Sequence, residues 1–430
     1  MLDTVAFWVA AATLPVWIAG GLESLMGSRR LPRLADVEPA SIDGDGVSIV
    51  VAARNEAAGL GQAAASLLGQ QGVAMELLLI DDRSEDATGA IADAIAARDP
   101  RVHVIHIESL PPGWLGKNHA LHRGGEEAAA EWILFTDADV VMAEAAVARA
   151  VTLARNMGLD HLAVLPELRI RGGITDLFVG TFAFLFSRLV RPWKAADPRA
   201  DEHIGIGAFN LLRAEVYHSL GGHALISMRP DDDMMLGRLI KRSGYLQAAA
   251  VGRGQVHVEW YSSLWDAIRG LEKNAFAGLG YSVRRTLAAC VALLAFLVWP
   301  FVALLVTSGA AFWLNLAIVG WVLGLYIGST RTSGCDPRLA PGLPFGVIFI
   351  CFAILRSAWL ATVRGEVRWR GTSYSLEELR RDDPDRRPPS RSPGGTSACA
   401  ERSAADGARK NQKVREAFHF GGCSFPVQSS

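Results

Sequence analysis

Cysteine is scarce: there are five in 430 residues, Cys290, Cys335, Cys351, Cys399 and Cys423, and no two have CxxC spacing. That usage excludes a disulfide-built scaffold and a structural zinc site. The ten histidines form no HxxxH or HExxH pair, so His257 and the others read as structural or exposed side chains rather than metal ligands. An excess of charge of either sign is also missing. Forty-three basic residues face 44 acidic ones for a net charge of −1, which leaves no electrostatic footprint for a nucleic-acid partner. Charge itself is thin, at 20% of residues against 50% hydrophobic, with a mean hydropathy of +0.21. A disordered chain is far less apolar, and soluble domains carry more charge, so part of this chain belongs in lipid.

The apolar residues gather in four stretches. Residues 5–22 hold eighteen positions without a charge, about the length that spans a bilayer core. The segment before them lacks Lys and Arg and no good cleavage site follows, which favours an uncleaved anchor over a secretory signal. Residues 286–308 and 310–328 are each uncharged, with Thr307, Ser308 and Gly309 at their junction, and read as a transmembrane hairpin. Residues 343–363 are apolar but interrupted by Arg356. Arg29, Arg30 and Arg33 follow the first stretch, and Arg284 and Arg285 precede the second, so the positive-inside rule puts the region between in the cytoplasm. A complete fourth span would carry Arg364, Arg368 and Arg370 outside, against that rule; 343–363 is therefore expected to be re-entrant or interfacial. The expected layout is a membrane anchor over 1–26, a cytoplasmic domain over 45–275, membrane segments over 286–363, and a disordered tail over 381–430. The whole is a multi-pass protein of the cell (inner) membrane.

Between residues 45 and 150 strand and helix signals alternate. The runs 47–53, 75–82, 102–107 and 131–139 are rich in apolar and β-branched residues, and helical patterns fill 57–70, 87–98 and 118–129. This alternation predicts an α/β fold, a Rossmann-like parallel sheet with right-handed crossovers. Ligands of such sheets bind beyond the carboxyl ends of the strands, and the polar residues cluster there.

Four groups carry candidate chemistry. Arg54-Asn55-Glu56 ends the first strand and Asp81-Asp82 the second. Adjacent carboxylates repel unless a cation or hydrogen-bond donor is near. DDRSEDAT (81–88) reads either as a helix cap through Ser84 or Asp86 or as a pocket in which Asp82 accepts hydrogen bonds from a base or ribose. Next, Asp137 and Asp139 stand at i and i+2; on an extended strand they point to opposite faces, whereas at a bend both address one divalent cation. Their hard oxygens suit Mg²⁺ or Mn²⁺, with substrate phosphates completing the shell. In LPPGWLGKNHAL (110–121), Lys117 is the only lysine before residue 194 and either holds a diphosphate or is an ordinary solvated side chain. Finally, Asp231, Asp232 and Asp233 open a helical pattern closed by Gly244. One acid there satisfies the helix dipole; three together raise at least one pKa, which makes a useful general base.

In this order and at these separations, ARNE (53–56), DDRSEDAT, PPGWLGK (111–117), TDAD (136–139) and DDDMMLGRLIKRSGY (231–245) resemble the family-2 glycosyltransferases of GT-A fold. WRGTSY (369–374) is similar to their membrane-bound members. Among these the chain looks most like bacterial hopanoid- and carotenoid-associated enzymes and, more distantly, ceramide glucosyltransferases. The resemblance implies that Ala53, Glu56 and Asp82 line a nucleotide pocket, with Asp82 near the uracil or ribose. It puts Lys117 by the diphosphate, Asp137 at the ribose and metal shell, Asp139 on the metal, and Asp233 as the base, with Asp232 as the acid before it. It implies an inverting transfer of a hexose from a nucleotide sugar, in particular a UDP-hexose, to a membrane lipid acceptor.

The QxxRW motif of processive synthases is missing from 263–282, where Trp265 and Arg269 are expected to do part of its work. Residues 174–190 read as an interfacial element that admits a lipid, or as a buried core helix. Two other readings stay open: transfer to a polyprenyl phosphate or a growing polysaccharide, and an inactive protein that only binds nucleotide sugar.

Overall fold

The computed structural model describes residues 1–40, 42–169, 172–261 and 263–381. The tail expected over 381–430 falls outside it except for residue 381. In chain order the elements are α1 (Leu2–Arg30), β1 (Ile42–Ala53), α2 (Leu60–Leu68), β2 (Val73–Asp82), α3 (Thr88–Ala96), β3 (Val102–Ile107), α4 (Gly116–Glu127), β4 (Trp132–Asp137), β5 (Val140–Met142), α5 (Ala146–Asn156), β6 (His161–Leu165), β7 (Glu167–Arg169) and α6 (Ile174–Val190). They continue with β8 (Asn210–Arg213), α7 (Ala214–Ser219), α8 (Asp232–Arg242), β9 (Gln247–Val251), β10 (Val256–Glu259), α9 (Leu264–Gly278), α10 (Val283–Leu293), α11 (Trp299–Val306), α12 (Gly309–Ser333), α13 (Leu343–Arg364), β11 (Glu366–Trp369), β12 (Thr372–Ser375) and α14 (Leu376–Arg381).

A seven-stranded sheet in the order β3-β2-β1-β4-β8-β6-β9 forms the centre. The four strands read from the sequence are its parallel half, in register Ala53 to Asp81 and Ala52 to Asp137. The other half of the sheet is mixed, because β8 runs antiparallel to both β4 and β6. No β-branched run announces β8; Asn210-Leu-Leu-Arg is short and becomes a strand only between two buried neighbours. The strand interiors Val47, Ile49, Val51, Leu77, Leu79, Trp132 and Leu134 pack against the helices of one face, and Val50, Leu78, Ile80, Ile133 and Phe135 against those of the other. This two-sided burial is why the runs read as continuously apolar. A second sheet, β5-β10-β7, lies beyond the carboxyl end of β4.

Four helical segments are long and apolar enough to cross a membrane: Leu2–Arg30, Val283–Val306, Gly309–Ser333 and Pro337–Arg364. The helices α1 and α12 run side by side in the same direction, since Asp3 meets Ser308 and the Trp321 indole N–H donates to the Trp17 carbonyl at 2.8 Å. Arg356 does not interrupt α13. It is paired with Glu272 of α9 at 2.5 Å, and its guanidinium and that of Arg269 both lie over the Trp265 ring, at 4.9 and 5.4 Å. The start of α13 packs on α6, where Gly342 meets Leu177 and Gly346 meets Thr181. Its end, through Ala358 and Ala361, shares a cluster with Leu115 and Met228 of the α/β part. The end of α13 is thus held against the α/β part and its start against α6. The apolar helix α6 packs Phe178, Val179 and Phe184 into the same helical layer and leaves Ile174 and Leu189 exposed.

Candidate active site

Ala53, Asp82 and Asp137 end three adjacent parallel strands, which brings residues far apart in sequence to one edge of the sheet. The Ala53 methyl is buried in the main core, so this residue offers the edge only its backbone. Beyond it the chain turns through Asn55, whose φ of 55° is left-handed. The turn is held by the DDRSEDAT loop: the Ser84 hydroxyl accepts from Asn55 N–H, Thr88 from Glu56 N–H at 2.8 Å, and Asp86 from Ala57 N–H. Asp86 also meets the cap expectation, since its other carboxylate oxygen accepts from the Thr88 N–H at 2.9 Å at the start of α3, whereas Ser84 serves the turn.

The adjacent carboxylates at the end of β2 have separate cations. Asp81 bonds His106 at 3.0 Å, while Asp82 receives two hydrogen bonds from Arg83 and has Arg54 at 3.8 Å. Asp82 is 3% exposed, and those guanidiniums supply the hydrogen bonds and opposite charge that burial takes from water.

The DxD residues sit at a bend. β4 stops at Asp137 and β5 begins at Val140, so the alternation that separates i and i+2 on a strand is broken between them. Asp139 opens onto solvent at the cleft but is walled by protein on its other sides. That walling-in, then the charges of Asp137 and Glu56, push its carboxyl up to about 7. A crowded acid of this kind calls for a cation, and Asp137 with Asp139 supplies two hard oxygen donors of the type that hold Mg²⁺ or Mn²⁺ while phosphates complete the shell. Among the described residues no cluster of three or more His, Cys, Asp or Glu side chains is placed to hold a metal.

Lys117 is the second residue of α4. Its ammonium lies 2.8 Å from Asp137 and 3.6 Å from Asp232. Burial alone lowers a lysine pKa, but Asp137, Asp232 and Asp233 outweigh it and the net shift is upward. The lysine therefore links the DxD turn to the acids of α8 and is no solvated side chain.

The three acids at the start of α8 have three different partners. Asp231 is gripped by the buried Arg229 at 2.9 and 2.8 Å, Asp232 faces Lys117, and Asp233 accepts hydrogen bonds from Gly207 N–H at 2.7 Å and Met234 N–H at 2.8 Å. Burial, then repulsion from Asp232, pushes Asp233 up to about 7 against the pull of Lys117. A small cavity of about 10 Å³, on the scale of a single water, lies among Lys117, Asp137, Gly207, Asp232 and Asp233.

Two contributors escaped the sequence reading. Gly207 lies so close that a Cβ there would stand 2.9 Å from an Asp137 carboxylate oxygen and 3.5 Å from Asp233 and Lys117; its signal was the pair of glycines in IGIG (204–207). Asn118, fully buried, donates to the carbonyls of Ile226, Ser227 and Arg229 and so fixes the segment leading to Asp231. An asparagine in the first turn of a helix gave no sign of that.

Comparison with known proteins agrees with this architecture. Residues 48–221 match the family described as Glycosyl transferase family 2. Over 116 residues, 27% of the chain, it is 30% identical to a 4,4'-diaponeurosporenoate glycosyltransferase of Staphylococcus haemolyticus, covering 30% of that protein. Over 93 residues, 22% of the chain, it is 39% identical to the succinoglycan biosynthesis protein ExoO of Rhizobium meliloti, covering 25% of it. The matched segments span less than a third of either relative. A mannosyltransferase from Pyrobaculum calidifontis, solved in complex with GDP-Man and Mn²⁺, superimposes with a TM-score of 0.50 at 17% identity, covering 83% of this chain and 99% of that one. The fold is GT-A.

Proposed function

We propose that this protein is an inverting, metal-dependent glycosyltransferase that moves a hexose from a nucleotide sugar, in particular a UDP-hexose, to the hydroxyl of a membrane lipid. The observation that carries the reading is the grouping of Asp233, Lys117, Asp137 and Asp139 at one sheet edge, with two carboxyls of raised basicity among them, Asp139 at the open turn and Asp233 held by the Gly207 and Met234 N–H groups. In this reading Asp233 accepts the acceptor hydroxyl's proton as its oxygen attacks C1 of the sugar. The ammonium of Lys117 faces the negative charge of the departing nucleoside diphosphate. Asp137 and Asp139 would hold a divalent cation, Mg²⁺ or Mn²⁺, which supplies Lewis-acid stabilisation of that charge. Asp82 and Glu56, with the Ala53 backbone, line the nucleotide side.

The lipid acceptor is supported by the helices beneath the site. An aromatic series runs from Phe186 and Phe182 of α6 to Trp260 and Tyr261, and the Tyr261 hydroxyl feels the charges of Asp139 and Asp137. This is a route from an apolar layer to the acids. In the proposed topology α1, α10–α11 and α12 cross the cell membrane with the catalytic part in the cytoplasm, and α13 lies in the interface. Arg364, Arg368 and Arg370 then stay on the same side as the other arginines, as the positive-inside rule asks.

The test uses detergent-purified protein, radiolabelled UDP-hexoses with Mn²⁺ or Mg²⁺, and total bacterial lipid. Label is expected in the organic phase and is lost with EDTA. Asp233→Asn is expected to lower turnover by at least a hundredfold with nucleotide binding retained. Label only in insoluble polymer would favour the polysaccharide reading that the succinoglycan relative suggests. Full activity of Asp233→Asn would overturn the role of the base.

A further inference from the structure

The sequence WRGTSY (369–374) has no part in the chemistry above, yet the fold brings it to the nucleotide edge. Arg370 and Gly371, with φ of 45° and 79°, form the two-residue turn that joins β11 to β12, the conformation a tight hairpin requires. The turn is aimed at the loop after β1. The Arg370 guanidinium pairs with the Glu56 carboxylate and donates to the Arg54 carbonyl. Thr372 accepts from the Arg54 guanidinium at 3.3 Å, the same group that approaches Asp82. Two residues on, the buried Tyr374 hydroxyl accepts from Gly116 N–H at 3.2 Å, one residue before Lys117. Leu376 and Leu379 of α14 anchor this end in a cluster with Leu115 and Met228.

One hairpin, more than 250 residues downstream of its contacts, is thus bonded to both rims of the pocket: the loop bearing Glu56 and the helix start bearing Lys117. Asp82 lies between them. We infer that this C-terminal hairpin is a structural part of the donor site, with Arg370 as a positioning residue that holds Glu56 and its loop in the nucleotide-binding conformation. The inference rests on the donor pocket proposed above. Its physical basis is preorganisation: a loop already held in its bound shape has less ordering to do when the nucleotide arrives. Because the hairpin follows α13, seating of the apolar layer and formation of the donor pocket become linked.

The experiment measures binding of UDP, GDP, CDP and ADP with MnCl₂ to the full chain in detergent by titration calorimetry, followed by steady-state kinetics. Wild-type protein is expected to bind at least one of these. For that nucleotide, Arg370→Ala is expected to weaken binding about tenfold, the scale of one charge-assisted hydrogen bond. The donor KM should rise in parallel, with kcat at saturating donor and the acceptor KM held within about twofold. Arg370→Lys is expected to recover part of the loss. Glu56→Gln combined with Arg370→Ala should be no weaker than the worse single variant, because both break one coupling. Arg381→Ala, which among the described residues removes an exposed ion pair with Glu377, serves as the unaffected control, and melting temperatures of all variants check the fold. Unchanged nucleotide binding by Arg370→Ala, or a loss confined to kcat, would overturn the inference while leaving the donor site intact. Failure of the wild type to bind any of the nucleotides would overturn the donor site and this inference with it.

Discussion

At the scale of single residues, the site is built from acids whose meaning depends on their partners. Asp81, Asp82, Asp231, Asp232 and Asp233 are alike in the sequence, yet Asp82 and Asp231 are clasped by guanidiniums while Asp233 is left with two backbone N–H groups. Candidate acids are therefore legible from composition and position, but their division into structural and chemical roles is not. His106 illustrates the consequence. It bridges Asp93 at 2.9 Å and Asp81 at 3.0 Å, and the bonds to Asp93 and then Asp81 raise its pKa above the ordinary 6.5. A raised histidine contributes stability that is complete below the unfolded value and is lost as pH climbs through the native value. His106→Gln is accordingly expected to melt lower than wild type at pH 6, with the gap closing towards pH 8.5. Thermal unfolding across that range measures it; a gap independent of pH would mean that the imidazolium charge is not involved.

At the scale of elements, the base is positioned by a close crossing. The segment through Gly205 runs against the first turns of α8, where a Cβ on Gly205 would overlap the Asp233 carbonyl and one on Gly237 the Ile204 carbonyl. Backbone obstructs both, so no rotamer change relieves the overlap. Gly237→Ala is expected to cost about 1–3 kcal/mol of stability, as overpacking of a tight contact does, and to lower turnover by displacing Asp233. Gly61→Ala on α2, where a Cβ meets nothing within 4 Å, should be neutral or slightly stabilising. Denaturation and turnover of the two variants test the contrast; equal behaviour would show that the crossing tolerates a methyl. The helices and strands of the parallel half were legible because their apolar period is strong. The element boundaries shifted where local bonding intervened: the helix expected over 57–70 is confined to Leu60–Leu68, since the residues before it are held in the Glu56 turn.

At the scale of the whole molecule, the apolar helices and the α/β part form one site rather than an anchor and a cargo. Because the end of α13 packs on the α/β part and the hairpin after it bonds Glu56, that hairpin is expected on the same side of the membrane as the catalytic part. Ser373→Cys in β12, which is exposed, should react with a membrane-impermeant maleimide in inside-out vesicles and not in intact spheroplasts. Ser308→Cys, at the α11–α12 turn, should show the reverse. Labelling of both from one side would overturn the interfacial placement of α13. The sequence by itself determined the α/β class, the apolar stretches and the acids at the strand ends, because periodicity, run length and charge are local properties of a chain. Only the tertiary structure decided which acid is held by backbone N–H groups instead of a guanidinium, that β8 turns the sheet mixed, and that WRGTSY closes on Glu56. Those outcomes depend on contacts between segments tens to hundreds of residues apart, and no local pattern encodes which of them meet.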